Sequence, residues 1–258
     1  MPATDYLPRK LYNAMSRMAI SEPAKALLAL QGNPEYCSFW DDHVGTRSGT
    51  WPAGTPYSAT SGTGTEVNGI TQAVNGTMTL TTGANASDSA GQALGLNWNG
   101  DQGFYFIARL KINTITTSKL EIGLTDAVND DAGAVDTKAT PTFTATDCVL
   151  FVRDTTDDTN LTFVSNGGSI DAAADAGYAV VGDTYFIVEI VARGDTDTTG
   201  DNVAGYVNGQ LVGSGNINGS VALTPWAHVT TRTTATRTLS VDYWGIIGPR
   251  SAGWGGSV

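Results

Sequence analysis

Residues 103–112 read GFYFIARLKI, and no other run in the chain constrains the fold as tightly. Drawn as an extended strand, Phe104, Phe106, Ala108, Leu110 and Ile112 fall on one face, while Tyr105, Ile107, Arg109 and Lys111 fall on the other. Aromatic and β-branched residues dominate it, which favours a pleated, half-buried strand. Such a strand must bury its apolar face against a second layer, so the question becomes what the rest of the chain supplies.

The rest supplies more strands. Alternating or apolar runs recur at 37–40, 77–81 (TMTLT), 93–98, 119–124 (KLEIGL), 148–153 (CVLFVR), 161–164, 185–193 (YFIVEIVAR), 203–207, 210–212, 226–230 and 238–247 (TLSVDYWGII). Between them lie polar or glycine-rich turns. Asn208-Gly209 separates two short apolar segments and predicts a type I′ hairpin, because both central residues of that turn need positive φ. Residues 45–69 read as a long loop or a loop with one weak strand, and 126–142 as an acidic loop. Ten to twelve strands at short spacing, with no convincing crossover helix among them, predict an all-β, antiparallel two-sheet jelly-roll sandwich. A length of 258 residues suits one such unit.

Residues 1–35 differ from this pattern. Leu11, Met15 and Met18 recur at helical spacing, and Ser21-Glu22-Pro23 has the form of a helix start. Gly32, Asn33 and Pro34 end that second helix. A helix pair this short does not hold itself together in water. The expected organisation is a helical N-terminal docking segment over 1–35, packed on the sandwich or on a partner, and a β-sandwich domain over 36–258.

Charge narrows the function classes. The net charge is −11, which disfavours a sequence-independent nucleic-acid binder, since phosphate contacts need clustered Lys and Arg. The acids crowd between Glu121 and Asp201, against Lys138, Arg153 and Arg193 alone. The opening MPATDYLPRKLYNAM lacks the apolar run of an export signal, and no stretch of 18 apolar residues occurs to span a membrane. The sequons at Asn75, Asn85, Asn160 and Asn218 then read as turn sequences. Cys37 and Cys148 are too far apart for a zinc motif, and their redox state is left open between two buried thiols and a disulfide.

The ordered set of segments carries a resemblance. GFYFIARLKI followed by KLEIGLTD, then CVLFVRDTTDDTNLTFVSNGG, then YFIVEIVARGDTDTTGDNVAGYVNGQLVGS, then LSVDYWGIIGPR is similar to the strand order of the concanavalin A-like lectin/glucanase superfamily, laminin-G-like domains included. It covers about residues 37–250. Thr-, Gly-, Ala- and Asp-rich chains of this kind also resemble bacteriophage structural proteins: head decorations, head fibres and tail-associated adhesins. That resemblance implies a virion location, a homo-oligomer with a trimer as the expected state, capsid or tail proteins as partners, and a glycan as a further partner.

The glucanase branch implies chemistry that these residues do not match. Its members carry two carboxylates on one strand in an E-x-D-x-E pattern, which sets an acid and a nucleophile about 5–5.5 Å apart in retaining enzymes. Glutamate occurs only at Glu22, Glu35, Glu66, Glu121 and Glu189. None has an acid two residues away on a predicted strand; Asp195 and Asp197 share that spacing but sit in a turn. The histidines, His43 and His228, are tied to no nucleophile by sequence. The expectation is a non-enzyme with no catalytic, cofactor or metal residue assigned. Calcium is the one candidate ion, at Asp154-Asp157-Asp158 or Asp195-Asp197-Asp201, against the plainer reading of solvated turns. Trp51, Tyr57, Trp98, Trp226 and Trp254 are the candidates for stacking on a sugar.

Overall fold

The computed structural model describes residues 36–41, 43, 59–62, 67–71, 76–94, 98–128, 133–167, 172–194 and 200–249. The predicted helical segment over 1–35 lies outside them, as do Trp51, Tyr57, Asp195, Asp197 and Trp254. Nearly all regular structure within the described residues is extended. The strands are β1 Tyr36–Asp41, β2 Ala59–Gly62, β3 Val67–Thr71, β4 Thr77–Thr81, β5 Ser89–Ala93, β6 Trp98–Asn99, β7 Phe104–Ile112, β8 Ser118–Thr125 and β9 Val135–Thr137. They continue with β10 Thr142–Phe143, β11 Cys148–Asp154, β12 Asn160–Asn166, β13 Ala172–Ala179, β14 Phe186–Ala192, β15 Val203–Val207, β16 Gln210–Gly215, β17 Ala222–Thr231 and β18 Thr238–Pro249.

Two antiparallel sheets form the layers. The first runs β16-β15-β14-β7-β18-β4-β3, with β1 on the far half of the same β18 edge that β4 occupies. The second runs β13-β12-β11-β8-β17-β5-β2, with β6 paired to the start of β17. This is the two-sheet sandwich that the alternating segments predict. The central strands are those with the strongest apolar alternation: β7 lies between β14 and β18, and β8 lies between β11 and β17.

Alternation decides which side chains meet. Phe104, Phe106, Ala108, Leu110 and Ile112 of β7 point inward with Phe186, Val188 and Ile190 of β14 and Trp244 and Ile246 of β18. Leu120, Ile122 and Leu124 of β8, Val149 and Phe151 of β11, and Ala227 and Val229 of β17 face them from the second sheet. Phe151 and Phe163 contact each other with ring centroids 5.4 Å apart. The backbone of Gly205 in β15 lies against the rings of Phe163 and Phe151, leaving no room for a Cβ.

The predicted Asn208-Gly209 hairpin is present. Both residues have positive φ, 50° and 78°, and the Asn208 side chain accepts a hydrogen bond from the Ile187 N–H at 2.9 Å, tying the turn to β14. Two expectations need correction, and one strand was not expected. Of the strand predicted at 93–98, Ala93 ends β5 and Trp98 begins β6, and β5 itself runs earlier, in the small-residue run SAGQA, because large rings of β17 occupy the space beside it. The alanine-rich β13 carried no strand signal and is held by its pairing with β12. The acidic loop at 126–142 contains the small hairpin of β9 and β10.

Gly205→Ala places a methyl group inside the Phe163 ring contact. Overpacking of this kind costs about 1–3 kcal/mol, and chemical denaturation should show a loss in that range, with Gly182→Ala losing less because its added Cβ meets nothing closer than 3.5 Å.

Candidate functional site

Residues on β8 that alternate with the core face the other way. Lys119, Glu121 and Gly123 therefore share the outer face of the second sheet with Leu150 and Val152 of β11 and Trp226 and His228 of β17. On an ordinary half-solvated sheet this face would be wet. Here Lys119, Glu121, Leu150, Val152, Trp226 and His228 are all 1% exposed or less.

The cover is the chain's own excursion between β8 and β11, within which residues 126–128 and 133–147 are described. Its base is closed by the Asp126 N–H donating to Asp147 O at 3.0 Å. Ala127, Val128, Ala134, Val135, Phe143 and Ala145 of this strap lay an apolar underside on Leu150, Val152, Val164 and Trp226. At its far end Lys138 reaches Asp158 and Asp157 and donates to Asn160 O at 3.0 Å, beside the β11–β12 turn. The strap thus crosses the sheet face and is pinned at both ends.

Glu121 pins it in the middle. Its Oε2 accepts from the Ala134 N–H at 2.8 Å and from Trp226 Nε1 at 3.2 Å, and its Oε1 accepts from the Val135 N–H at 3.1 Å. Lys119 Nζ lies 2.8 Å from Oε1 and also donates to Val135 O. A buried carboxylate is tolerated only when it is paired and fully hydrogen-bonded, and these four donors meet that condition. Burial pushes the Glu121 carboxyl up; Lys119, His228 and the Ala134 N–H outweigh it and hold the group below its ordinary value of 4.5.

Two glycines make the fit. Gly133 has φ +88°, and a Cβ there would lie against the Glu121 carboxylate, so only glycine lets the strap backbone come this close. Gly91 of β5 sits opposite His228, where a Cβ would come within 2.7 Å of the Trp226 ring. Trp226 and His228 stack with centroids 5.3 Å apart and planes 15° from parallel.

The sequence candidates distribute as follows. Glu121 is the carboxylate that comes nearest to a catalytic position, and its same-face strand neighbours are the cation Lys119 and Gly123 rather than a second acid. Glu189 lies in the other sheet, buried on the outer face of β14. Trp98 and Trp226 are buried, so neither offers a ring to a sugar, contrary to the expectation from their loop-side positions.

The candidate calcium acids separate onto cations. Asp154 is held by Arg232, whose Nε donates at 3.2 Å, while Asp157 and Asp158 flank Lys138. Asp201 accepts from Ser214 Oγ. Among the described residues no group of three or more His, Cys, Asp or Glu side chains is arranged to hold a metal ion. His43 is buried, with Nδ1 3.4 Å from Asp41. Cys148 is buried under the strap in the second sheet, whereas β1, which carries Cys37, belongs to the first.

The site that sequence reading missed is the strap. Its signal was present in KLEIGL, where a lysine and a glutamate share the face opposite to three aliphatics.

The fold has known relatives in shape. Peanut lectin superposes with a TM-score of 0.55 at 12% identity, over 83% of this chain and 97% of the lectin. A β-glucanase of Bacillus licheniformis gives 0.52 at 12% identity, over 83% and 98%. A protein of unknown function from Shewanella oneidensis MR-1 gives 0.53 at 14% identity, over 93% and 98%. No family model matches the sequence, and no curated protein matches it. The chain therefore has the jelly-roll sandwich fold of concanavalin A-like lectins and glucanases, and at these identities the likeness is one of fold.

Replacing Glu121 by Gln leaves Lys119 buried without its counter-charge. Breaking such a pair costs about 3–5 kcal/mol, to be read by chemical denaturation, and Lys119→Met combined with Glu121→Gln should recover part of it, because the amide oxygen still accepts from a strap N–H and no unpaired charge stays buried. Because the folded pKa of Glu121 is depressed, its contribution is complete above the unfolded carboxylate value, about 4.3, and is lost as pH falls through the lower folded value. Wild-type stability should drop in that acid window, and the drop should shrink in the double variant.

Proposed function

We propose that this chain is a non-enzymatic structural protein of a bacteriophage particle, attached to capsid or tail through residues 1–35 and displaying the sandwich outward as a homo-oligomer, with a trimer as the expected state. The observation that supports the non-enzymatic half is the sealed outer face of the second sheet. A glycosidase needs an open face with two carboxylates across a substrate. Here the strap fills that space, and the Glu121 carboxylate beneath it is paired with Lys119 and spent on strap N–H groups.

What supports the particle half is the composition and the distinct N-terminal segment, a warrant by analogy of fold and sequence character. A sandwich with one face closed by its own chain has its ends and edges left for display. A glycan-binding role is favoured beside it by a pocket that threonine, aspartate and arginine residues line at one end of the sandwich.

Two measurements test the reading. The full-length chain incubated with mixed-linkage β-glucan should release no reducing sugar above a buffer control; sustained release that Glu121→Gln abolishes would contradict it. The full chain should co-sediment with particles of the virus that encodes it, and a fragment of residues 36–258 that retains the β-type circular dichroism spectrum should not. Equal co-sedimentation of both would remove the docking role of residues 1–35.

A further inference from the structure

Six asparagines in this chain precede a glycine: Asn68, Asn75, Asn99, Asn166, Asn208 and Asn218. An asparagine in that position carries its own modification chemistry. The glycine nitrogen can attack the side-chain carboxamide, because no Cβ on the glycine obstructs the cyclic imide that results. Ring closure needs a glycine N–H that solvent base can reach, an amide nitrogen free to leave, and room for the backbone to turn. A donor on the carboxamide oxygen adds to the rate, since negative charge collects on that oxygen in the transition state.

The fold grants these conditions unequally. Asn75 lies outside the described residues. Gly69, after Asn68, is held in the β3–β4 ladder opposite Thr79. Gly100, after Asn99, is buried, and a Cβ there would lie 2.9 Å from the Ile217 side chain. Asn166 has its amide nitrogen tied up, donating to Ala145 O at 2.9 Å and to Thr146 O at 3.3 Å. Gly219, after Asn218, is buried and wedged against the Asp101 carboxylate. At such sites the reaction waits for the local structure to open.

Asn208 meets every condition. It and Gly209 are both exposed at the tip of the β15–β16 hairpin, and nothing lies within 4 Å of the Cβ position of Gly209. The Asn208 Nδ2 makes no hydrogen bond among the described residues, whereas its Oδ1 accepts from the Ile187 N–H at 2.9 Å. That donor is fixed in place, because the Asn208 N–H in turn donates to Ile187 O at 2.9 Å. The Ile187 N–H therefore stands where the oxyanion forms.

We propose that Asn208 is a site of spontaneous covalent modification, at which this hairpin converts to aspartate and isoaspartate. Solvent base removes the Gly209 N–H proton, and the nitrogen bonds to Asn208 Cγ. The intermediate, its oxygen facing the Ile187 N–H, expels Nδ2, which leaves as ammonia with a proton from water. Water then opens the imide, at Cγ to give aspartate or at the backbone carbonyl to give isoaspartate. The net change is one water consumed and one ammonia released, with nothing oxidised or reduced. Aspartate keeps the acceptor for Ile187. Isoaspartate routes the chain through the side-chain carbons, and a turn built on φ values of 50° and 78° no longer closes Val207 on Gln210. The strand loosened is β16, an edge strand whose Gly213 packs on Ala174 of β13, where the two sheets meet. The inference is independent of the particle-bound role and stands or falls apart from it.

The test incubates the full-length chain at mildly alkaline pH, folded and in denaturant, and follows each asparagine by fragmentation mass spectrometry that separates aspartate from isoaspartate. In denaturant the Asn-Gly sites should react at similar rates. In the folded chain Asn208 should keep most of that rate, while Asn99, Asn166 and Asn218 slow by at least about tenfold, as reaction through local opening requires. Hydrogen exchange of the β16 amides should quicken in the isoaspartyl fraction and stay at the wild-type rate in Asn208→Asp. Suppression of Asn208 to the level of the buried sites, a faster reaction at any of those three, or β16 exchange unchanged in the isoaspartyl fraction would overturn the proposal.

Discussion

A carboxylate without water has to find its donors inside the protein, and the arrangement around Glu121 follows from that requirement. β8 carries Glu121 outward because Leu120 and Ile122 go inward. Two strap N–H groups, the Trp226 indole and the Lys119 ammonium then supply the donors. Removing the strap would leave the carboxylate and ammonium facing each other on an open apolar surface of Leu150, Val152 and Trp226. The strap and the ion pair are in this sense one unit: the apolar underside brings the strap down, and the charged pair fixes its register.

The same constraint explains several local choices that propensity does not. β5 is built from Ser, Ala, Gly and Gln because the stacked rings of Trp226 and His228 take the space beside it. Gly133 has a left-handed backbone because the strap must approach Glu121 closely. Lys138 is buried at the far end because the two aspartates of the β11–β12 turn meet it there.

Much of the sandwich was legible in the residues. Phe104 to Ile112 announced a core strand by its period of two, and it is the strand to which β14 and β18 pair. Asn208-Gly209 announced its hairpin through the φ it demands. β13 and β5 were hidden, because alanine, glycine and serine carry no strand preference; β13 is held by its chain neighbour β12, and β5 by β17, far off in sequence. The strap was hidden for a related reason. Lys119 and Glu121 read as solvent-facing charges on an alternating strand, and only the cross-strand register that sets Glu121 opposite both His228 and Val152, together with the return of residues 133–145 over that face, turns them into a buried pair. The acidic turns were read as solvated or as candidate ion sites, and the cations that meet them, Arg232 and Lys138, come from distant points of the chain.

The most direct test of the closed face is hydrogen exchange at the Ala134 and Val135 amides. If the strap is seated on Glu121 as described, both exchange slowly at neutral pH, with protection approaching that of the β8 and β11 amides beneath them, and Glu121→Gln speeds them. Exchange of Ala134 and Val135 at the rate of an open loop in the wild-type chain would contradict the account.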